Sequence, residues 1–143
     1  MQKLNSSHWI AVLVLLALTS AAYGEKPVDP ATDSAQRVEL KRADLSGAPG
    51  MEVIASTAEY APGERLDLHF HHGIEVAYVI QGAQVQAPGR DPMTLPTGAS
   101  VLNLRDAAHG GFTIVGDTSL KIFTVHVVDK GKPLYDRTEK GES

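Results

Sequence analysis

Four side chains of metal-ligand type stand close together in this chain: His69, His71, Glu75 and, further along, His109. Two imidazoles separated by one residue of a β-strand point to the same face and lie roughly 6.5 Å apart along the chain. At that spacing their nitrogens can bind one ion at about 2.0–2.1 Å, and a carboxylate can add a third bond. Neutral imidazoles with one carboxylate suit a divalent transition metal better than Ca²⁺ or Mg²⁺. The cluster therefore predicts a transition-metal site.

The elements that must position these residues are predicted to be short β-strands. Apolar or alternating runs are separated by Gly, Pro and Asp, and no long amphipathic helical pattern occurs. The last run alternates most regularly, with Leu120, Ile122, Thr124, His126 and Val128 on one face. Several short strands at close spacing indicate a sandwich or a small barrel. The candidate strands are residues 38–40, 51–60, 66–71, 75–81, 83–86, 100–104, 111–115 and 120–128.

The N-terminus has the pattern of a secretory signal peptide. Lys3 supplies a positive charge, residues 10–18 are an unbroken apolar run, and small residues at 22 and 24 suit a cleavage site. The run is too short for a bilayer, which needs roughly 20 residues. We predict a signal peptide over residues 1–24 and an exported protein, periplasmic or secreted, without stable membrane association after cleavage. An uncleaved N-terminal anchor is the alternative.

The remaining chain is long enough for one domain. Residues 25–36 are rich in Pro, Asp, Ser and Thr and are predicted to be a flexible leader; residues 37–129 hold all the candidate strands. Residues 130–143 form a polar C-terminal tail, in which Leu134 and Tyr135 are the only large apolar residues. We expect these two residues to hold the tail against the barrel.

Composition excludes several classes of function. The chain has no cysteine, so neither disulfides nor a nucleophilic thiol is available. Because no basic run occurs, nucleic acid is not an expected partner. Nucleophile-elbow, phosphate-loop and dinucleotide motifs are absent from the sequence. The expected partner is a small-molecule substrate or ligand, and residues 38–40 could pair across a homodimer.

The spacing of the metal-ligand residues resembles the cupin superfamily. The first cupin motif is Gly, five residues, His, one, His, three, Glu, six, Gly, and it is matched throughout by Gly63, His69, His71, Glu75 and Gly82. The second motif is Gly, five residues, Pro, one, Gly, two, His, three, Asn. It falls on Gly98, Leu104, Asp106, His109 and Thr113, where only Gly98 and His109 match.

This resemblance covers roughly residues 38–128 and implies an all-β single jelly-roll barrel, a double-stranded β-helix. It implies that His69, His71, Glu75 and His109 bind one divalent transition metal, Fe, Mn, Ni, Cu or Zn, with one or two positions left open. His126 is expected to be a hydrogen-bonded core residue rather than a further ligand. We expect His72 to be solvent-exposed and Arg105 to form a surface salt bridge.

Placing Glu75 on the same face as His71 sets a geometric requirement. A two-residue hairpin loop at His72 and Gly73 would put Glu75 on the opposite face. We therefore expect a three-residue connection or a bulge, with Gly73 supplying a positive φ.

Three functions remain open. The favoured one is a metal-dependent enzyme acting on a small organic molecule, of dioxygenase type, in which Glu75 is a ligand that can detach and serve as general base. The first alternative is a non-oxidative isomerase, lyase or decarboxylase acting on a sugar acid or a similar anion. The second is a non-catalytic protein that binds a metal or small ligand. It stays open because the sequence shows no obvious acid–base residue beyond the ligands.

Overall fold

The computed structural model describes residues 33–137, which form eleven β-strands. The predicted signal peptide, most of the leader and the last six residues of the tail lie outside this range. Residues 33–137 contain no helix that could cross a lipid bilayer. The strands are β1 (Val38–Asp44), β2 (Met51–Tyr60), β3 (Arg65–Leu66), β4 (His69–Phe70), β5 (Gly73–Gln81), β6 (Ala83–Gln86), β7 (Met93–Leu95), β8 (Ser100–Asn103), β9 (Phe112–Val115), β10 (Leu120–Asp129) and β11 (Asp136–Arg137).

Two antiparallel sheets build the barrel. The larger has the order β1-β2-β10-β5-β8 and the smaller has the order β3-β9-β6-β7. A third, two-stranded sheet pairs β11 with β4. The all-β fold class predicted from the sequence is confirmed.

The core forms where the alternating strands turn their apolar side chains inward. On β10 the predicted inward face is correct: Leu120, Ile122, Thr124, His126 and Val128 are all buried. Each fully buried large aliphatic side chain contributes about 1.5–3 kcal/mol. The apolar cluster joins both sheets and consists of Ala58, Tyr60, Leu66, Val79, Ala83, Val85, Ile114, Leu120 and Ile122. Buried polar side chains, among them His71, Thr124 and His126, are not part of this cluster.

Strands β7 and β11 were not predicted. β7 has exposed side chains at Met93 and Thr94 and gives no alternating signal. β11 is charged, and it is a strand because the tail pairs with β4. The predicted strand at 66–71 is divided into β3 and β4, which belong to different sheets.

The prediction of a three-residue connection or a bulge between His71 and Glu75 is wrong. The chain bends at His72 and continues directly into β5, whose partner is β10 rather than β4. The amide of Asp129 donates to the carbonyl of His72 at 2.9 Å, which holds the bend. Gly73 does not adopt a positive φ. It is required because a Cβ there would lie 2.1 Å from the carbonyl oxygen of Val127.

The end of the predicted leader lies against the barrel. Ser34 is buried and its hydroxyl donates to the carbonyl of Glu59 at 2.7 Å. Strand β1, which follows, is an edge strand with Val38 and Leu40 exposed. The expected homodimer through this edge stays a prediction.

Candidate metal centre

The four residues predicted as metal ligands come together at one end of the barrel. His69 lies on β4 and Glu75 on β5, while His71 lies in the bend between these strands. His109, in the loop before β9, exchanges two backbone hydrogen bonds with His69, of 3.0 and 2.9 Å. His69, His71 and Glu75 are buried, and His109 is half-buried. Metal binding by the four residues remains a prediction that geometry can test.

The side-chain atoms lie at distances that suit one ion. Nε2 of His71 is 3.0 Å from Nε2 of His109, and Oε2 of Glu75 is 3.3 Å from each. Ligand atoms bound at about 2.0–2.1 Å in tetrahedral or octahedral geometry lie about 2.9–3.4 Å apart. A ring nitrogen of His69 lies within 4.8 Å of those of His71 and His109. The buried His/Glu group could therefore hold a metal ion.

Backbone carbonyls fix the tautomers of all three imidazoles. Nδ1 of His69 lies 2.8 Å from the carbonyl of Asp67, and Nδ1 of His71 lies 2.6 Å from that of Leu134. Nδ1 of His109 is 2.9 Å from the carbonyl of Ala107. A carbonyl only accepts, so each Nδ1 carries the hydrogen and each neutral ring has its lone pair on Nε2.

This arrangement is typical of metal-binding histidines. Two nitrogen lone pairs 3.0 Å apart, beside a carboxylate oxygen, repel one another unless a proton or a cation lies among them. Imidazole nitrogen with one carboxylate is a donor set that suits Fe, Mn, Ni, Cu and Zn. The residues present fit a transition ion, and their chemistry does not select among these metals.

Glu75 is held as an ionised carboxylate. Asn103 donates to its Oε2 at 2.7 Å, and Nε2 of His126 lies 3.3 Å from its Oε1. Burial opposes ionisation, but the side-chain hydrogen bonds with His109, His126 and His71 outweigh it and hold the pKa of Glu75 far below its usual range. His71 and His109 can donate these bonds from Nε2 only when their rings are protonated, because Nδ1 of each ring already donates to a carbonyl. The negative charge needed to balance a cation is thus fixed in place.

The imidazoles differ in their affinity for protons. Burial lowers the pKa of His69 to about 4, and burial also lowers the pKa of His126. Burial acts in the same direction on His109, but the hydrogen bonds with Glu75 and Ala107 raise its pKa overall. His69 and His126 are therefore neutral at pH 7.

His126 is buried beside Glu75, as expected of a core residue, and its exclusion as a further ligand stays a prediction. Its Nε2 faces Glu75 and also lies 3.4 Å from the hydroxyl of Tyr135. Its Nδ1 is the only buried side-chain nitrogen or oxygen without a hydrogen-bond partner among residues 33–137. His71, Glu75 and His126 also form a group whose ligand atoms lie within 4.8 Å of one another.

The C-terminal tail completes the site, which the sequence did not show. The ring of Tyr135 is 5.0 Å from that of His69 and 4.9 Å from that of His71, in edge-on contacts. Leu134 supplies the carbonyl to His71. The only sequence signal was the pair of apolar residues in a polar tail. Asn103 was also missed, because its position opposite Glu75 depends on the register of β5 with β8.

Asp106, which replaces the glycine of the second motif, lies in a turn before His109. Asp106 stands at that position with φ 59°, in the left-handed region that Asp tolerates better than most residues. Its amide donates to the carbonyl of His71 at 3.0 Å. After the turn comes Gly110, where a Cβ would lie 2.7 Å from the carbonyl oxygen of Asp67. The loop thus brings His109 to His69 despite the altered motif.

Two neighbouring residues have surface roles. Arg105 forms a double hydrogen bond with Asp129, both contacts at 2.9 Å, which confirms the expected surface salt bridge. His72 is half-buried rather than fully exposed, and it contacts Asp136 at 3.1 Å and Asp106 at 3.5 Å.

A cavity of about 200 Å³ lies beside the candidate ligands. Its lining includes the candidate ligands His69, Glu75 and His109, and also Asp33 and Tyr60. The rest of the wall is mainly apolar: Leu66, Ala77, Val79, Leu95, Val101, Phe112, Leu120 and Ile122, together with Asn103 and Gly110. The cavity can therefore accept a small, largely apolar organic molecule.

Comparison with known proteins shows similarity at the level of the fold. No family model matches the sequence, and no curated protein matches it either. The polyketide cyclase RemF from Streptomyces resistomycificus aligns over 72% of this chain and 82% of the cyclase, with 17% identity and a TM-score of 0.50. A cupin-like protein from Thermotoga maritima msb8 aligns over 73% of this chain and 78% of its own, with 19% identity and a TM-score of 0.44.

DMSP lyase DddQ from Ruegeria pomeroyi DSS-3 is also similar, over 63% of this chain, with 20% identity and a TM-score of 0.49. The alignment spans 45% of the lyase, less than half of its length. The paired antiparallel sheets and the alignment with the cyclase agree on the fold class. The protein has the all-β, double-stranded β-helix barrel that was predicted from the sequence.

Proposed function

We propose that this protein is a metal-dependent enzyme that acts on a small organic molecule held in the barrel cavity, with an O₂-dependent dioxygenase reaction favoured. The observation that carries the proposal is the convergence of three Nε2 lone pairs and one carboxylate beside an apolar cavity. Metal sites that keep open positions next to a pocket are typical of catalysis rather than of structural support.

The chain's own groups would do three things. His69, His71, His109 and Glu75 would hold the ion, and Glu75 would neutralise one of its charges. Asn103 and His126 keep the carboxylate oriented. The apolar wall excludes water from the substrate. A redox-active ion, when bound, would supply Lewis acidity and electrons for the reaction with O₂.

A role for Glu75 as a detachable general base stays a prediction. To leave the metal, the carboxylate must turn away from Asn103 and His126, each of which contacts a different oxygen. Burial of a free carboxylate would then raise its pKa and make it a better base.

One observation favours the non-oxidative alternative of an isomerase, lyase or decarboxylase. Asp33 and Tyr60 face the same cavity as the metal ligands, and the Tyr60 hydroxyl donates to the Asp33 carboxylate. Burial raises the pKa of Tyr60 far above its ordinary value, so the phenol keeps its proton. These groups place a carboxylate and a protonated phenol in the same cavity as the candidate ligands, which the sequence did not reveal.

Metal content and oxygen dependence test the proposal. Protein purified from its native compartment would be analysed for metals, reconstituted with each candidate ion, and assayed against small hydroxy-ketones, diols and keto-acids on an oxygen electrode. We expect oxygen uptake with Fe, Mn, Ni or Cu, and its loss in His71→Ala but not in the matched neighbour variant His72→Ala. Turnover under anaerobic conditions would support the non-oxidative alternative. Tight metal binding without turnover would support a binding protein.

The localisation is part of the proposal. The N-terminal pattern supports export, and the measurement is the mass of the protein recovered from the periplasm or medium. A mass that includes residues 1–24 would contradict cleavage of the predicted signal peptide.

A further inference from the structure

Asp33 is a buried carboxylate that the metal chemistry does not use. It precedes β1, and only 6% of its side chain is exposed. Arg37 donates to Asp33 from Nε at 2.7 Å and from Nη2 at 2.9 Å, and Tyr60 donates its hydroxyl to the same carboxylate. Asp33 is therefore an ordered part of the barrel interior.

Arg37, the partner of Asp33, is also held by side chains of the barrel. Nη1 of Arg37 donates to the hydroxyl of Ser56 at 2.7 Å and to that of Thr124 at 3.0 Å. Its guanidinium lies over the ring of Tyr135, 4.9 Å from the centroid. Because both side chains of the ion pair are largely buried and Arg37 is bonded on both sides, the pair holds the carboxylate in one orientation, and the charge of Arg37 cancels that of Asp33.

If the pair served only to hold the N-terminal segment on the barrel, it would not need to be an arginine and an aspartate. Replacing a buried ion pair by apolar residues of similar size is often neutral or stabilising, so the pair is weak as a stabilising device. Its position suggests another use, because Asp33 and Tyr60 line the cavity that also holds His69, Glu75 and His109. Asp33 and Tyr60 thus add polar groups to a cavity whose remaining wall is mainly apolar.

Asp33 and Tyr60 offer hydrogen-bond acceptors to the cavity. A carboxylate has about four lone-pair positions, and Arg37 and Tyr60 occupy three of those on Asp33. The Tyr60 hydroxyl gives its hydrogen to Asp33 and accepts one from Nη2 of Arg37 at 3.4 Å, which leaves it one lone pair. A molecule that reaches these two residues must therefore donate a hydrogen bond or leave a buried acceptor unmatched, which is costly.

We propose that Asp33 and Tyr60 form a specificity-determining part of the cavity. They select substrates that carry a metal-binding oxygen group and, elsewhere on the same small and largely apolar molecule, a neutral hydroxyl or N–H donor. A neutral donor is preferred to an ammonium group because Arg37 already balances the carboxylate. This inference rests on the proposed function, since the metal must hold the oxygen group of the substrate.

Pairs of hydroxamic acids test the inference directly. A hydroxamate supplies the metal-binding oxygens, and each pair differs only in its distal group, a methyl in one member and a hydroxyl of similar size in the other. The pairs are prepared at several chain lengths, with an ammonium-ended member for each. Binding is measured by calorimetry to the zinc-loaded protein, after elemental analysis has confirmed its zinc content.

We expect the hydroxyl member to bind about tenfold more tightly than the methyl member at the best chain length, because a hydrogen bond to a charged acceptor has about that effect. In Asp33→Asn this preference should fall below about threefold, while the affinity of the methyl member stays the same. Asp117→Asn, at an exposed carboxylate, is the matched control and should keep the full preference. Tyr60→Phe, which leaves the Asp33–Arg37 pair intact, is used if Asp33→Asn does not fold.

Equal binding of the two members by the wild-type protein would overturn the inference and leave the proposed function standing. An undiminished preference in folded Asp33→Asn, or tighter binding of the ammonium member, would also overturn it. If no hydroxamate binds to protein that holds zinc, the proposed function is contradicted and this inference with it.

Discussion

Glu75 and His126 lie directly opposite each other on the paired strands β5 and β10, and Nε2 of His126 is 3.3 Å from Oε1 of Glu75. Opposed residues of an antiparallel pair share a face of the sheet. The carboxylate is thus held from the neighbouring strand, and its other oxygen is left to face His71 and His109.

Removing this contact should weaken metal binding without abolishing it. We expect His126→Phe to lower metal affinity about 10–100-fold, the usual effect of losing a group that orients a ligand. His71→Ala should lower affinity further, because it removes a ligand. Chelator competition at pH 7.5 measures both variants. His72→Ala is the control, and equal loss in all three would show that folding rather than orientation is affected.

Metal binding should stabilise the folded protein. A ligand that binds only the folded state at 1,000 times its Kd adds about 4 kcal/mol to the free energy of unfolding. We expect the metal-loaded wild type to melt at a higher temperature than the metal-free wild type. The variant with both His69→Ala and His71→Ala should show no such increase and should differ little from the metal-free wild type. A large destabilisation of the variant relative to metal-free protein would identify the two histidines as structural.

The low pKa of His69 makes the stability of the metal-free protein depend on pH. Burial lowers this pKa to about 4, against about 6.5 in the unfolded chain, so the unfolded state takes up the proton first. The contribution is fully present above pH 6.5 and is lost as the pH falls toward 4. By pH 5 the loss should be about 2 kcal/mol relative to neutral pH.

A comparison with His69→Asn isolates this effect. His109 acts in the opposite direction: since its pKa is raised overall, its contribution is present at low pH and is lost as the pH rises through the folded-state pKa. Urea unfolding of both proteins at pH 7.5 and pH 5 gives the difference. The variant should lose about 2 kcal/mol less than the wild type on acidification. Equal losses would mean that His69 is protonated with an ordinary pKa.

Arg37 should be difficult to replace alone. Arg37→Met leaves Asp33 buried without its cation, which costs about 3–5 kcal/mol when one member of a buried pair is removed. The double variant Arg37→Met with Asp33→Asn removes both charges and should recover much of that loss. Urea unfolding of the single and double variants checks this. A double variant that is no more stable than Arg37→Met would show that the charges are not coupled.

The sequence predicted the barrel and the positions of the four ligand candidates because local patterns encode both. Strand alternation placed His126 and its neighbours on the inner face, and the first motif carries three candidates within seven residues. The parts that escaped prediction depend on contacts between distant segments. Asn103 reaches Glu75 through the register of two strands, and Asp33 belongs to an N-terminal segment whose docking no local pattern reveals. The packing of Tyr135 on the barrel was predicted, but its contacts with His69 and His71 were not. The bend at His72 was not predicted for the same reason: β5 pairs with β10 and not with β4, which precedes it in sequence.

The C-terminal tail should be necessary for tight metal binding. Leu134 accepts the Nδ1 hydrogen of His71 at 2.6 Å, so it keeps the Nε2 lone pair of that ring directed at the centre, and Tyr135 packs against the same ring. A protein that ends at Pro133 loses both contacts and the pairing of β11 with β4. We expect its metal affinity to fall about 10–100-fold, as for other groups that orient a ligand. A protein that ends at Arg137 keeps every one of these contacts and is the matched control. Chelator competition on the two truncated proteins separates them, and unchanged affinity in the shorter one would show that the carbonyl of Leu134 does not orient His71.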